Sequence, residues 1–227
     1  MRALSPHDFP VSNYRKVIEG ENRGMPKIMF IRHGEKPFGT TLGVSPKGKD
    51  DKEDLIVQGW QRAGALARFF SPVDPSTIPA GLAVPAKIFA AAVNAASKSK
   101  RPRHTVTPLA DLMGLKIDHK YGDGQEAALA KAAVAAAADG PVLIAWQHGE
   151  IPCIIAQVAG TPLAPKWPSN RFDLVWVLDS SDGTNWTFSQ VPQMLIAGDV
   201  TTLVPGPADP KPCKPKKKKA APAAPAT

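Results

Sequence analysis

Two apolar runs of strand length in this chain break off in the same way. Lys27-Ile28-Met29-Phe30-Ile31 gives way to Arg32-His33-Gly34-Glu35, and Pro141 through Trp146 gives way to Gln147-His148-Gly149-Glu150. A strand that stops abruptly at a cation or an imidazole followed by glycine reads as the edge of an active site. The repetition means that two strands deliver two histidines in similar local settings, which favours an architecture whose strands end side by side.

The sequence between and around these runs alternates in period. From Leu55 the positions Ile56, Trp60, Ala63, Ala67 and Phe70 recur at helical spacing, and Ser71-Pro72 supplies a stop. Ala86 to Val93 has strand length and apolarity. Arg101 to Met113 is helical and closes at Gly114, and Leu115 to His119 suits a short strand. Gln125 to Ala138 is nearly all alanine, the best helix former, and ends at Asp139-Gly140-Pro141. Ile151 to Ala159 reads as a helix capped by Gly160. Phe172 to Leu178 and Trp186 to Val191 flank Asp182-Gly183, a hairpin turn signal. Alternating strands and helices followed by a hairpin predict an α/β three-layer sandwich: a mostly parallel central sheet, helices on both faces and a C-terminal antiparallel hairpin. Ligands of such sheets sit at the C-terminal ends of the strands, where His33 and His148 both fall.

The ends of the chain read differently. Residues 1–25 are polar without a clear period and form an expected leader, residues 26–204 an expected catalytic domain, and residues 205–227 an expected disordered tail of Pro, Ala and Lys. The net charge of +8 suggests nucleic-acid binding until it is divided. Residues 209–227 hold six lysines and one acid, so +5 of the charge belongs to the tail and the body is mildly basic. Those lysines could touch anionic surfaces weakly, with a solubilising role as the simpler alternative. The only cysteines, Cys153 and Cys213, lie far apart, so no disulfide framework is expected, and two reduced thiols fit a cytoplasmic protein. The first 26 residues contain no apolar h-region, and no apolar run reaches the ~18 residues needed to span a bilayer. The Gly- and Lys-rich stretch from Lys36 to Asp54 is expected as an exposed loop bordering the site.

Four elements together resemble the histidine phosphatase superfamily, also called phosphoglycerate mutase-like. Arg32-His33-Gly34 matches the Arg-His-Gly signature, and Leu55-x-x-x-Gly59-x-x-Arg62-Ala63 matches the helix that follows. Ser97-x-x-x-Arg101-x-x-x-Thr105 matches the Ser and Arg motif, and His148 after its apolar strand matches the second histidine. The resemblance spans residues 26–192 in the right order. Two departures are Ile56-Val57 where Thr-Pro is usual and Pro102 where Ala is usual, and neither removes a reacting group.

The resemblance implies phosphomonoester hydrolysis with His33 as nucleophile, a phosphohistidine intermediate, and no metal or other cofactor. Arg32 and Arg101 would hold the phosphoryl oxygens, since planar guanidinium groups offer fixed positive charge in a bidentate geometry. His148, protonated in the field of the dianion, would donate to those oxygens. Gly34 and Glu35 are expected to line the substrate site. The general acid is open among Glu126, Asp123 and Glu150. Glu126 is taken as the first choice because many relatives place their acid between the Arg101 motif and the second histidine, although a carboxylate there would also complement a helix dipole. His104 and His119 are read as structural or exposed.

The implied substrate is a phosphorylated small molecule or a phosphoprotein. Mutase-type transfer is the alternative within the same chemistry, and the 46 residues between Arg101 and His148 leave little room for the longer insertions of mutases. A non-catalytic phosphate-binding module is the rival from another class. Zinc binding by the two histidines would need further ligands, and no His-Glu-x-x-His or paired-Cys spacing is present.

Overall fold

The computed structural model of the 227-residue chain describes residues 25–95 and 97–209. The leader before Met25 and the chain beyond Asp209 lie outside the described residues. Six strands and four helices alternate: β1 (Lys27–Arg32), α1 (Val57–Phe70), β2 (Lys87–Ala90), α2 (Arg101–Met113), β3 (Ile117–Asp118), α3 (Glu126–Ala137), β4 (Val142–Trp146), α4 (Ile151–Ala159), β5 (Leu174–Ser180) and β6 (Trp186–Pro192). A short 3-10 turn at Pro75–Thr77 joins α1 to β2. These elements fall where the periodicity predicts them, with ends moved by one to three residues at most sites.

The sheet order is β3-β2-β4-β1-β5-β6. The first four strands are parallel, and β5 and β6 run antiparallel at the far side. Alternate side chains of each strand enter opposite layers, because successive Cβ atoms point to opposite faces. Met29 and Ile31 of β1, with Leu143 and Ala145 of β4, pack against Leu66 and Phe70 of α1 and Val106 and Leu109 of α2. Ile28 and Phe30, with Val142, Ile144 and Trp146, face Leu129 and Ala133 of α3 and Ile154 and Ile155 of α4. Both faces of the central strands are therefore covered, and the strands themselves are apolar throughout. Each fully buried Leu, Ile or Phe side chain contributes about 1.5–3 kcal/mol, so truncating Phe30 to Ala would open the middle of one layer at a cost of about 3–5 kcal/mol.

β1 and β4 are neighbours although most of the fold lies between them in sequence. The register pairs Arg32 with Trp146, and the backbone N–H of His33 donates to Trp146 O at 3.1 Å, one step past the strand. The two His-Gly-Glu ends are thus side by side, at the point where successive connections leave to opposite faces of the sheet.

Three sequence expectations change. The stretch from Lys36 to Asp54 is not uniformly exposed, because isolated bridges at Phe38–Thr41 and Val44–Asp50 fold it back and Asp54 is fully buried. Residues 205–209 remain attached, with Asp209 N–H donating to Ala164 O at 2.8 Å and Val204 packed among residues of α3 and α4. Cys153, on α4, is disulfide-bonded rather than a reduced thiol. The chain's other cysteine, Cys213, lies outside the described residues. Nothing in the local sequence around Cys153 marks this bond. The thiol argument for a cytoplasmic protein falls with it. No helix among the described residues is long and apolar enough to cross a membrane.

Candidate active site

His33 is almost completely buried just past the end of β1. Its Nδ1 lies 2.7 Å from Gly34 O. A carbonyl oxygen can only accept, so Nδ1 carries the proton and Nε2 keeps its lone pair. The pKa is pushed down to about 3, chiefly by burial, with Arg32, Arg101 and His148 adding positive potential against the bond to Gly34. At neutral pH His33 is therefore an uncharged imidazole with one basic nitrogen available.

The three residues that act on His33, two of them cations, are ones the sequence singles out. Arg32 is fully buried; its Nη1 donates to Ser169 O at 2.6 Å and Arg171 O at 3.1 Å, and its guanidinium carbon lies 3.7 Å from the centre of the Phe172 ring. Burial lowers its pKa to about 10, still far above neutral. Arg101 opens α2 and donates from Nη1 to Lys52 O at 3.2 Å. His148, two residues past β4, has its pKa lowered to about 4 by burial and by Arg32, Lys36 and Lys166. In the empty site it is neutral, so the protonation expected during reaction depends on the field of a bound dianion.

Arg32 Nε, Arg32 Nη2, Arg101 Nε and His148 Nδ1 are all buried without a hydrogen-bond partner among the described residues. Leaving such groups unsatisfied costs about 1–3 kcal/mol each, and native proteins rarely do so without a use for them. Unpartnered nitrogens from two arginines and an imidazole, all acting on one neutral histidine, are donors of the kind that can receive an anion with several oxygens.

Packing behind the signature fixes its position. Gly34 N–H donates to Thr105 Oγ1 at 2.8 Å, and that hydroxyl donates to Arg101 O at 2.8 Å, so one threonine ties the end of β1 to the first turn of α2. A Cβ on Gly59 would lie 2.7 Å from Glu35 O and 2.9 Å from Glu35 N, so only glycine lets α1 approach the signature loop this closely. The usual cap residues are absent there. Ile56 instead donates its N–H to Glu35 O at 3.1 Å, which anchors the helix to the loop.

Glu35 is expected to line the substrate site, yet its carboxylate is engaged inside the protein. Arg62 Nε and Nη2 reach Glu35 Oε1 at 3.0 and 2.8 Å, and Arg62 also binds Asp199 and Gln193. A free carboxylate at an anion seat would repel the ligand, and the paired guanidinium removes that conflict. Arg62, matched in sequence only as part of a helix motif, is thus the partner that neutralises Glu35.

The acid candidates lie in the segments that lead into α3 and α4. Asp123 accepts a hydrogen bond from Gln147 Nε2, which holds the loop before α3 beside the end of β4. Glu126, the first residue of α3, is buried and accepts from Gly124 N–H at 3.0 Å. Glu150 leads into α4, its backbone N–H bonded to Gln147 O at 3.1 Å. His104 is structural, as expected: its Nδ1 lies 2.7 Å from Asp54 Oδ1 and its ring packs on Trp60.

Sequence reasoning missed the loop before β5. Ser169 and Arg171 supply the carbonyls that hold Arg32, and Phe172, read as the start of a strand, lies against Arg32 and has its ring centre 6.2 Å from that of His33. Nothing in the local sequence marks these residues. Phe172 also borders a cleft of about 560 Å³ whose wall includes Glu35, Lys36, Arg62, Asn170 and Arg171, while Arg32, His33, Arg101 and His148 do not line it. Among the described residues no group of three or more His, Cys, Asp or Glu side chains is placed to hold a metal ion.

No family model and no curated protein matches the chain. Solved structures do. A mycobacterial glucosyl-3-phosphoglycerate phosphatase superposes with a TM-score of 0.46 at 14% identity, covering 73% of this chain and 97% of that one. The protein histidine phosphatase SixA, complexed with tungstate, gives 0.47 at 13% identity over 74% and 97% of the two chains. A phosphoglycerate mutase from Bacillus anthracis gives 0.41 at 12% identity over 75% and 94%. Superpositions this loose, at such low identity, do not assign an activity, and the functional case rests on the residues described above.

Proposed function

We propose that this protein hydrolyses phosphomonoesters through a phosphohistidine formed on His33. One observation carries the reading: a neutral, buried His33 with Nδ1 committed to Gly34 O is surrounded by buried, unpartnered nitrogens of Arg32, Arg101 and His148. In the first step the Nε2 lone pair attacks phosphorus and the bond to the leaving oxygen breaks. In the second, water attacks phosphorus as the phosphorus–nitrogen bond breaks with its electron pair returning to Nε2; the water's proton passes to the carboxylate left by the acid of the first step, and inorganic phosphate is freed. Splitting the displacement this way exchanges one difficult step for two easier ones. The bond from Nδ1 to Gly34 O orients the ring and stabilises the positive charge that the imidazole acquires when Nε2 is phosphorylated.

Arg32 and Arg101 offset the charge on the phosphoryl oxygens, and their burial strengthens that interaction by excluding water. The dianion in turn restores the basicity of His148, which then donates to a phosphoryl oxygen. Glu126, buried at the start of α3 near the end of β4, protonates the leaving oxygen. The leaving group occupies the cleft that begins at Phe172.

The experiment is turnover of 4-nitrophenyl phosphate by the wild-type chain and by His33→Ala, with acid quenching and mass spectrometry to trap an acid-labile phosphoryl group on His33. Turnover and a trapped adduct are expected in the wild type only. Equal rates in the two proteins would refute the assignment.

A further inference from the structure

The Arg101 side chain makes a single hydrogen bond, at 3.2 Å, to Lys52 O, and its Nε is bare. A long, flexible cation so loosely tied must be positioned by what surrounds it. That surrounding is the acidic segment Asp51 to Asp54, which grips the first turn of α2 at several points. Lys100 N–H donates to Glu53 O at 2.9 Å, Lys100 Nζ pairs with Asp51 Oδ2 at 2.6 Å, and His104 Nδ1 meets Asp54 Oδ1 at 2.7 Å.

Asp54 stands out within this clamp. It is fully buried; Oδ1 accepts from His104 and from Leu55 N–H at 2.8 Å, while Oδ2 has no partner. A bare carboxylate oxygen in the interior is costly unless a nearby positive charge compensates it. Arg101 is that charge, since Glu53, Asp54 and Asp51 are the anions that support its guanidinium against burial. Asp54 nevertheless makes its direct contact with His104. A direct ion pair with Arg101 would occupy the donors a phosphoryl group needs, whereas a carboxylate held behind the guanidinium supports the charge and leaves the donors open. His104 is immobilised in turn: its ring centre lies 5.3 Å from that of Trp60, whose Nε1 donates to Val44 O at 2.7 Å.

We propose that Asp54 and His104 form a buried positioning pair for Arg101, setting the affinity of the site for its phosphoryl group without touching that group. This rests on the reading of Arg101 as a phosphate ligand. Asp54 lies outside the motifs that suggested the site, and His104 occupies an unspecified position within one of them.

The test is binding of inorganic phosphate and of orthovanadate to the full chain by calorimetry, which needs no turnover. Four variants are compared with wild type: Arg101→Ala, His104→Ala, His104→Asn and Asp54→Asn. Asn at 104 keeps a donor at the position of Nδ1, and Asn at 54 keeps the shape and the Oδ1 acceptor while removing the charge. His104→Ala and Asp54→Asn should each weaken phosphate binding by about tenfold, the scale expected when a binding group is misplaced from behind. His104→Asn should recover most of the loss, which a merely space-filling role for histidine would not produce. If Arg101→Ala weakens binding while His104→Ala and Asp54→Asn bind as wild type, the positioning pair is refuted and the role of Arg101 stands. If Arg101→Ala itself binds phosphate as wild type, the reading of the site falls and the pair with it. Should His104→Ala not fold, Asp54→Asn decides, since it changes charge and almost nothing of shape.

Discussion

Arg32 lies over the ring of Phe172, with its guanidinium carbon 3.7 Å from the ring centre, and the carbonyls of Ser169 and Arg171 take two hydrogen bonds from the same side chain. The loop before β5 therefore aims a cation that belongs to β1. Cation–π contacts are worth about 0.5–2 kcal/mol depending on desolvation. Phe172→Leu should then lower kcat/KM for 4-nitrophenyl phosphate by roughly 3- to 30-fold, the kinetic equivalent of that range. Steady-state kinetics on the folded variant checks this, and an unchanged kcat/KM would show that the carbonyls alone hold Arg32.

Glu126 should matter in proportion to the basicity of the leaving oxygen. A general acid contributes about 10²–10⁴-fold where protonation of the leaving group is needed and little where the group leaves readily as an anion. Glu126→Gln is expected to slow an alkyl phosphate at least about tenfold more than 4-nitrophenyl phosphate. Equal losses on both substrates would move the role to Asp123 or Glu150.

Folding stability should fall as the pH drops from about 6.5 toward 3. In the folded protein His33 and His148 have pKa values lowered to about 3 and about 4 from an ordinary 6.5. Between those limits the unfolded chain binds more protons than the folded one, so protonation favours unfolding; above 6.5 neither state is protonated and these residues add no slope. Inside its window each histidine contributes roughly 1.4 kcal/mol per unit of pH at most. Urea unfolding at several pH values would show the slope, and His33→Gln combined with His148→Gln should flatten it.

Arg62 joins two carboxylates that the rest of the fold leaves largely buried, Glu35 and Asp199. Arg62→Ala would strand both, and breaking a buried pair in this way costs about 3–5 kcal/mol. The expected result is a large drop in the urea midpoint. Replacing Glu35 by Gln leaves Asp199 in place and should cost less. Equal stability of Arg62→Ala and wild type would mean that water reaches these carboxylates freely.

Much of the fold was legible locally. The helix at Arg101–Met113 and the helix at Ile151–Ala159 have the bounds that periodicity and their closing glycines predict, Gly114 and Gly160 both being left-handed. Helical spacing and terminal signals act within a few residues, so one sequence suffices to read them. The exposed loop predicted for Lys36 to Asp54 failed at its end for a complementary reason. Its charged composition marks a loop correctly, but Asp54 is buried by residues of α1 and α2 that composition does not see.

By itself the sequence determined where these strands end and which residues stand at their ends, because strand length, apolarity and the abrupt Arg32-His33-Gly34 and His148-Gly149 stops are properties of adjacent positions. Only the tertiary structure decided what each of those residues touches. The order of strands set β4 beside β1, joined Arg32 to Ser169 across 137 positions and paired Glu35 with Arg62. Contacts of this kind depend on how layers pack around a sheet, where a charge or a bare nitrogen finds whichever partner the fold brings near. The anion seat proposed at His33 joins the two: its residues stand at strand ends legible in sequence, and the burial that leaves their nitrogens unpartnered was not legible.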